Sequence, residues 1–230
     1  MTQYKNLHLY LIVPLVIVLL GFTPSYWLRF TDAPWRHHLH GLTATLWFLM
    51  LIVQPYLITR GHRDRHRVFG MFALIVAGGV AVSGLSVIQW NFASETMPEV
   101  AKYGLSLMDV LLVTGFLVAL GMAIVHSGQL EDHARWMIST VFWGVSPGLV
   151  RVLFFPIILA GVENPGQWFP VALAAAGGLN MLMLGSIMFL ERRAHPAYVF
   201  AAIGSLPQWL TLYFGSLDWW RVAADAIFKM

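Results

Sequence analysis

The sequence predicts an all-α bundle of seven transmembrane helices, and three observations carry that prediction. Of its 230 residues 58% are hydrophobic and only 11% charged, with a mean hydropathy of +0.69. Apolar runs of close to 20 residues recur along the chain, the length an α-helix needs to cross a hydrocarbon core about 30 Å thick at about 1.5 Å per residue. Between the second and third runs, Arg60-Gly-His-Arg-Asp-Arg-His-Arg67 concentrates arginine in one short connection, and such loops stay on the cytoplasmic side. Together these exclude a soluble globular domain, a disordered chain and a disulfide scaffold. Absence of cysteine removes thiolate nucleophiles, cysteine-ligated clusters and covalent c-type haem. The net charge of +3 reads as topology, and no nucleic-acid partner is expected.

In order, the runs fall near residues 7–22, 40–59, 68–90, 105–126, 135–159, 169–190 and 197–215. The first resembles a signal peptide in length, but it lacks a small-x-small cleavage site and leads into Thr-Pro-Ser-Tyr-Trp, so it reads as a helix. The arginine loop orients the rest. An N-terminus carrying Lys5 lies inside, as do Arg135, Arg192 and Arg193, and the C-terminus lies outside. Trp27, Trp35, Trp90, Trp168, Trp219 and Trp220 then gather at the outer interface, where indole rings sit among headgroups. After the seventh run, Asp218, Arg221, Asp225 and Lys229 occupy one helical face and Trp219, Trp220, Ala223 and Ile227 the other, the pattern of an amphipathic helix in the interface. No linker or repeat divides the chain, so residues 1–230 form one domain surrounded by membrane lipids.

Two formal charges fall inside predicted spans, Asp109 near the outer end of the fourth and Arg151 in the outer third of the fifth. Insertion scales set the cost of such a charge at a helix centre at about 2.5–3.5 kcal/mol, met by pairing or by a wet cavity. A structural ion pair and a functional site are both open readings. On the second helix His40, Thr43, Trp47 and Gln54 recur at helical spacing along one stripe. With Asp109 and Arg151, the residues His40, Trp47 and Gln54 outline a polar, outward-opening ligand cavity. His37 and His40, three apart, could bring two imidazoles to one transition metal with Asp109 as oxygen ligand.

A b-type haem needs two histidines on different helices at one depth. His66 at the mouth of the third helix and His133 at the mouth of the fifth form the natural pair, with His40 the outer-end option and Met108 its possible second ligand; a loop-junction depth counts against the inner pair. His62 and His66 also share a helix face, but Arg63, Arg65 and Arg67 oppose a cation there. The fifth helix carries His133, Thr140, Pro147 and Arg151 on one seam, which Asn180 and Gln208 can join, while Ala73, Ala77, Ala81, Gly84 and Gly177-Gly178 read as packing.

The strings Gly21-Phe-Thr-Pro-Ser-Tyr-Trp27, His38-Leu-His-Gly-Leu-Thr-Ala-Thr-Leu-Trp47, Gln54-Pro-Tyr-Leu, His66-Arg-Val-Phe-Gly70 and His133-Ala-Arg-Trp-Met137 resemble a bacterial family of multi-pass inner-membrane proteins of unknown function. The resemblance covers roughly residues 20–155, implies a bundle in the bacterial inner membrane, and brings no reaction with it. Seven-helix zinc hydrolases and receptors of the progestin-receptor type do not match, because the last helix has only His195, at its entrance. Three functional classes follow from the residues. The first is a redox or cofactor-binding bundle holding haem, quinone or metal between helices two to five. The second is a transporter or sensor for a small anion or metabolite, and the third an accessory subunit of a membrane complex or a homo-oligomer. No nucleophile and base, phosphate loop or paired-carboxylate signature names an enzymatic reaction.

Overall fold

The computed structural model describes residues 6–95 and 97–229; Lys5 and its expected cytoplasmic position lie outside them. Among the described residues there is no strand. The helices are α1 (Leu7–Tyr10), α2 (Ile12–Phe22), α3 (Trp35–Thr59), α4 (Arg63–Phe92), α5 (Glu99–Val125), α6 (Leu130–Leu159), α7 (Phe169–Glu191), α8 (Pro196–Ile203), α9 (Pro207–Phe214) and α10 (Asp218–Phe228). Single 3-10 turns at Trp27–Asp32 and Pro165–Trp168 join α2 to α3 and α6 to α7.

Five of these are long and apolar enough to cross a membrane: α3, α4, α5, α6, and α7 with its preceding turn. The first and last of the seven expected spans differ because proline interrupts them. Pro14 withholds the N–H that would close on the Tyr10 carbonyl, and the chain breaks at Leu11 between α1 and α2. Pro207 does the same to Ile203, whose carbonyl instead accepts from Leu206 N at 3.0 Å, so the run is divided into α8 and α9. Several helices begin before their apolar runs. α4 starts at Arg63, α5 at Glu99 and α6 at Leu130, since polar residues beyond an apolar stretch still close helical hydrogen bonds.

α6 is the hub, packing against α2, α3, α5, α7 and α8. Glycine permits the closest crossings, as expected where helices meet without large side chains between them. A Cβ on Gly21 of α2 would lie 2.2 Å from the Gly148 carbonyl oxygen of α6, and one on Gly104 of α5 would lie 2.0 Å from the Thr211 carbonyl oxygen of α9. The Trp143 ring is clamped between Gly115 and Gly204, where a Cβ would come within 2.1 Å and 2.0 Å of it respectively. Deeper still, the amides of Asn180 and Gln208 both donate to Ser146 Oγ, at 2.7 Å and 2.8 Å, while that hydroxyl donates to the Phe142 carbonyl. Asn180 and Gln208 are thus tied to α6 through Ser146, one residue before Pro147.

A smaller second core forms where α10 lies across the ends of α4 and α5. Trp220, Ala224 and Phe228 pack on Ile88, Phe92, Tyr103 and Leu107, and Trp220 Nε1 donates to the Tyr103 carbonyl at 2.8 Å. The buried ridge is rotated from the one expected, for Trp219 and Ile227 are exposed. The rotation brings Asp225 to Tyr103, whose hydroxyl donates to its carboxylate at 2.7 Å.

Candidate functional site

The α3 stripe threads three environments rather than one cavity. At the end bearing Trp35 and Trp90, His40 Nδ1 lies 3.1 Å from Ser83 Oγ, which also meets Thr43 Oγ1 at 3.0 Å. Trp47 is buried in the middle, its ring edge-on to Phe116. Gln54, fourteen residues beyond His40 in sequence and so about 21 Å along the helix at about 1.5 Å each, belongs to the arginine-rich end.

At the aromatic end His37, His40, Asp109 and Arg151 come within electrostatic reach of one another. Among the described residues Asp109 and Arg151 do not close an ion pair within 4.0 Å. Arg151 instead donates to the Pro147 carbonyl at 2.9 Å and stacks 4.2 Å above the Phe22 ring. Asp109 faces a small recess shared with Asn91, Lys102 and Ser106. The metal expected on His37, His40 and Asp109 finds no site: no three His, Asp or Glu among the described residues group closely enough to hold an ion. His40 is turned to Ser83 on α4, which takes its Nδ1 away from such a group.

The arginine-rich end brings His66 and His133 together. Their ring centroids are 6.3 Å apart and the planes stand at 82°. His133 sits in the first turn of α6, and its Nδ1–H donates to the Ala123 carbonyl at the end of α5, 2.8 Å away. A carbonyl can only accept, so neutral His133 presents its lone pair at Nε2. His66 sits in the first turn of α4 and is held by Gln54 of α3. One orientation of that amide satisfies every neighbour: its oxygen accepts from Gly70 N–H at 2.9 Å, and its NH2 donates to the His66 main-chain carbonyl at 3.3 Å and to His66 Nδ1. Neutral His66 then carries its proton on Nε2.

This donor set tests the expected metal and haem chemistry directly. An iron held between two imidazoles takes a lone pair from each, and here only His133 offers one, so the pair does not fit a bis-histidine haem or a metal bridge. His40, the outer-end alternative, has its Nδ1 on Ser83 and lies at the other end of α3.

A further cluster at the same end went unread in the sequence. Arg135 is buried and faces three carboxylates, Glu191 at 2.7 Å, Glu131 at 3.2 Å and Asp132 at 3.7 Å. His195 accepts from Ala197 N–H at Nδ1 and donates from Nε2 to Asp132 at 3.2 Å. Tyr198 donates to Glu191. Burial pushes the His195 imidazole below its ordinary range, although the Asp132 carboxylate pulls the other way. Glu131 and Asp132, four and three residues before Arg135, are the local signal; Glu191 and His195 come from the far ends of α7 and α8.

Fold and site therefore define an apolar helical bundle of the kind found in integral membrane proteins, with polar side chains gathered at its two ends. No protein-family model, curated protein or solved structure matches the chain.

Proposed function

We propose that this is a multi-pass redox protein of the bacterial inner membrane, crossing it seven times with its N-terminus inside, and that it binds its cofactor at His66 and His133. The observation that supports the binding site is the pair itself: two imidazoles from α4 and α6, each fixed through Nδ1 by another element, facing one another at 6.3 Å. Anchoring one ring nitrogen is how proteins aim the other at a bound group. The arginines of residues 60–67 surround the site and suit a cofactor that becomes anionic during turnover.

The test is the absorption spectrum of detergent-purified protein, oxidised and reduced, with elemental analysis and solvent extraction of the same sample. A redox-active group that co-purifies with the full chain and is lost in His66→Ala and His133→Ala is expected. A colourless sample free of metal and of extractable quinone overturns the reading. The seven crossings are tested separately by accessibility of single introduced cysteines, a clean experiment because the chain has none of its own.

Arg151 supports a second reading, a transporter or sensor for a small anion, because its guanidinium has no carboxylate within bonding distance among the described residues. Uptake of labelled acetate into proteoliposomes, lost in Arg151→Met, is the expected outcome; equal uptake by the variant removes it.

A further inference from the structure

Resting on the reading that His66 and His133 form the cofactor site, we infer that the pair holds the hydroxyl of a lipid-soluble quinol headgroup, and that Gln54 selects this class over a metal. The inference begins with one amide. Gly70 N–H and the His66 carbonyl, the two ends of one turn of α4, fix which end of the Gln54 amide is oxygen and which is nitrogen. With that choice made, His66 Nδ1 is an acceptor and Nε2 a donor, whereas the Ala123 carbonyl makes His133 Nδ1 a donor and Nε2 an acceptor. The two free nitrogens are therefore opposite in kind.

They are also too far apart to satisfy each other. A direct N–H···N bond of about 2.9–3.0 Å would hold ring centroids no more than roughly 5.3 Å apart, and these stand at 6.3 Å. What the gap asks for is one atom that accepts from His66 and donates to His133. A hydroxyl oxygen does both, a carbonyl oxygen only accepts, and a metal ion needs lone pairs from both sides. Both rings are half-buried, and the stretch of α4 beside His66 exposes Val68, Phe69 and Phe72, an approach suited to an apolar ring rather than to a sugar or other wholly polar alcohol. The quinol oxygen, bonded to both imidazoles at once, is held at the membrane surface with its ring toward lipid.

The experiment titrates the detergent-purified full chain with duroquinol, and separately with Zn²⁺, by calorimetry, in wild type, Gln54→Glu, Gln54→Met and His133→Ala, with circular dichroism to confirm the fold of each. A glutamate at position 54 accepts from Nδ1–H of His66 and moves its lone pair to Nε2, giving two lone pairs across the gap. Saturable duroquinol binding by wild type is expected, weaker by at least about tenfold in Gln54→Glu and His133→Ala, the loss of one buried hydrogen bond. Gln54→Glu should gain Zn²⁺ binding that wild type lacks, and Gln54→Met, which only frees the ring, should weaken quinol binding without that gain. Wild type that binds Zn²⁺ or haem through both histidines and ignores duroquinol overturns this inference but leaves the cofactor site standing. Wild type that binds none of the three overturns both.

Discussion

Two arginines on one helix meet opposite fates. Arg135, near the start of α6, is surrounded by Glu131, Asp132 and Glu191 within 4 Å. Arg151, some four turns further along, closes on no carboxylate among the described residues and is held by the Phe22 ring and the Pro147 carbonyl. The partners of Arg135 keep some water, since the Glu131 side chain is 63% exposed and that of Asp132 27%, so pairing there does not require stripping every ion bare. Deep in an apolar stretch a carboxylate must be wholly desolvated to pair, a cost that often exceeds the attraction gained. A ring face and a main-chain carbonyl stabilise the guanidinium without adding a second buried ion.

The contrast breaks first, and most visibly, at Arg135. Arg135→Met leaves three carboxylates facing one another and should destabilise the bundle by about 3–5 kcal/mol, read from denaturant unfolding in detergent; a variant as stable as wild type would remove the cluster as an anchor. Next, double-mutant cycles compare the two sites. Arg135 with Glu191 should couple by about 2 kcal/mol and Asp109 with Arg151 by less than about 0.5 kcal/mol, and equal couplings would erase the difference drawn above. Third, the arginine-rich end should weaken in mild acid. His195 is held below its unfolded value of about 6.5, so the unfolded chain takes up its proton first, and stability present above that value is lost as pH falls toward the folded one. Thermal midpoints between pH 7.5 and 5 test this, and His195→Gln should flatten the slope. The smallest effect lies at the opposite end. Lys229 and the Tyr103 hydroxyl hold the Asp225 carboxyl below its usual range, so its contribution is present above about pH 3.9 and lost as acid protonates it. α10 should become more sensitive to protease in strong acid, and Asp225→Asn should show that sensitivity already at neutral pH; protection unchanged by either would mean that Trp220 and Phe228 alone hold it.

Much of the helical architecture was legible because apolar length is a strong signal. The five long helices coincide with five apolar runs, and their early starts at Arg63, Glu99 and Leu130 were hidden only because hydropathy stops where water begins. The broken first and last runs carried their own warning in Pro14 and Pro207. Pairing was harder to read. His66 and His133 are 67 residues apart in the chain, and depth alone put them at one level, whereas Gln54 was grouped with His40 because both lie on one stripe of α3. A stripe gives direction and not depth, and the two residues sit at opposite ends. The Arg135 cluster escaped because Glu191 and His195 reach it from other helices, and Ser146 escaped because a serine in a helix looks the same whether it is buried or exposed.

The crossing of Gly21 on Gly148 carries a consequence for biogenesis. α2 leaves the ribosome with its glycine face bare, and the helix that covers that face is made only after α3, α4 and α5. Throughout that interval an eleven-residue helix, too short to settle across a bilayer alone, has to be held by the insertion machinery or by lipid until α6 arrives. Delay in releasing α6 would therefore strand the beginning of the chain rather than its middle, and quality control in the cell would meet this protein as one whose first helix is the last to find its place.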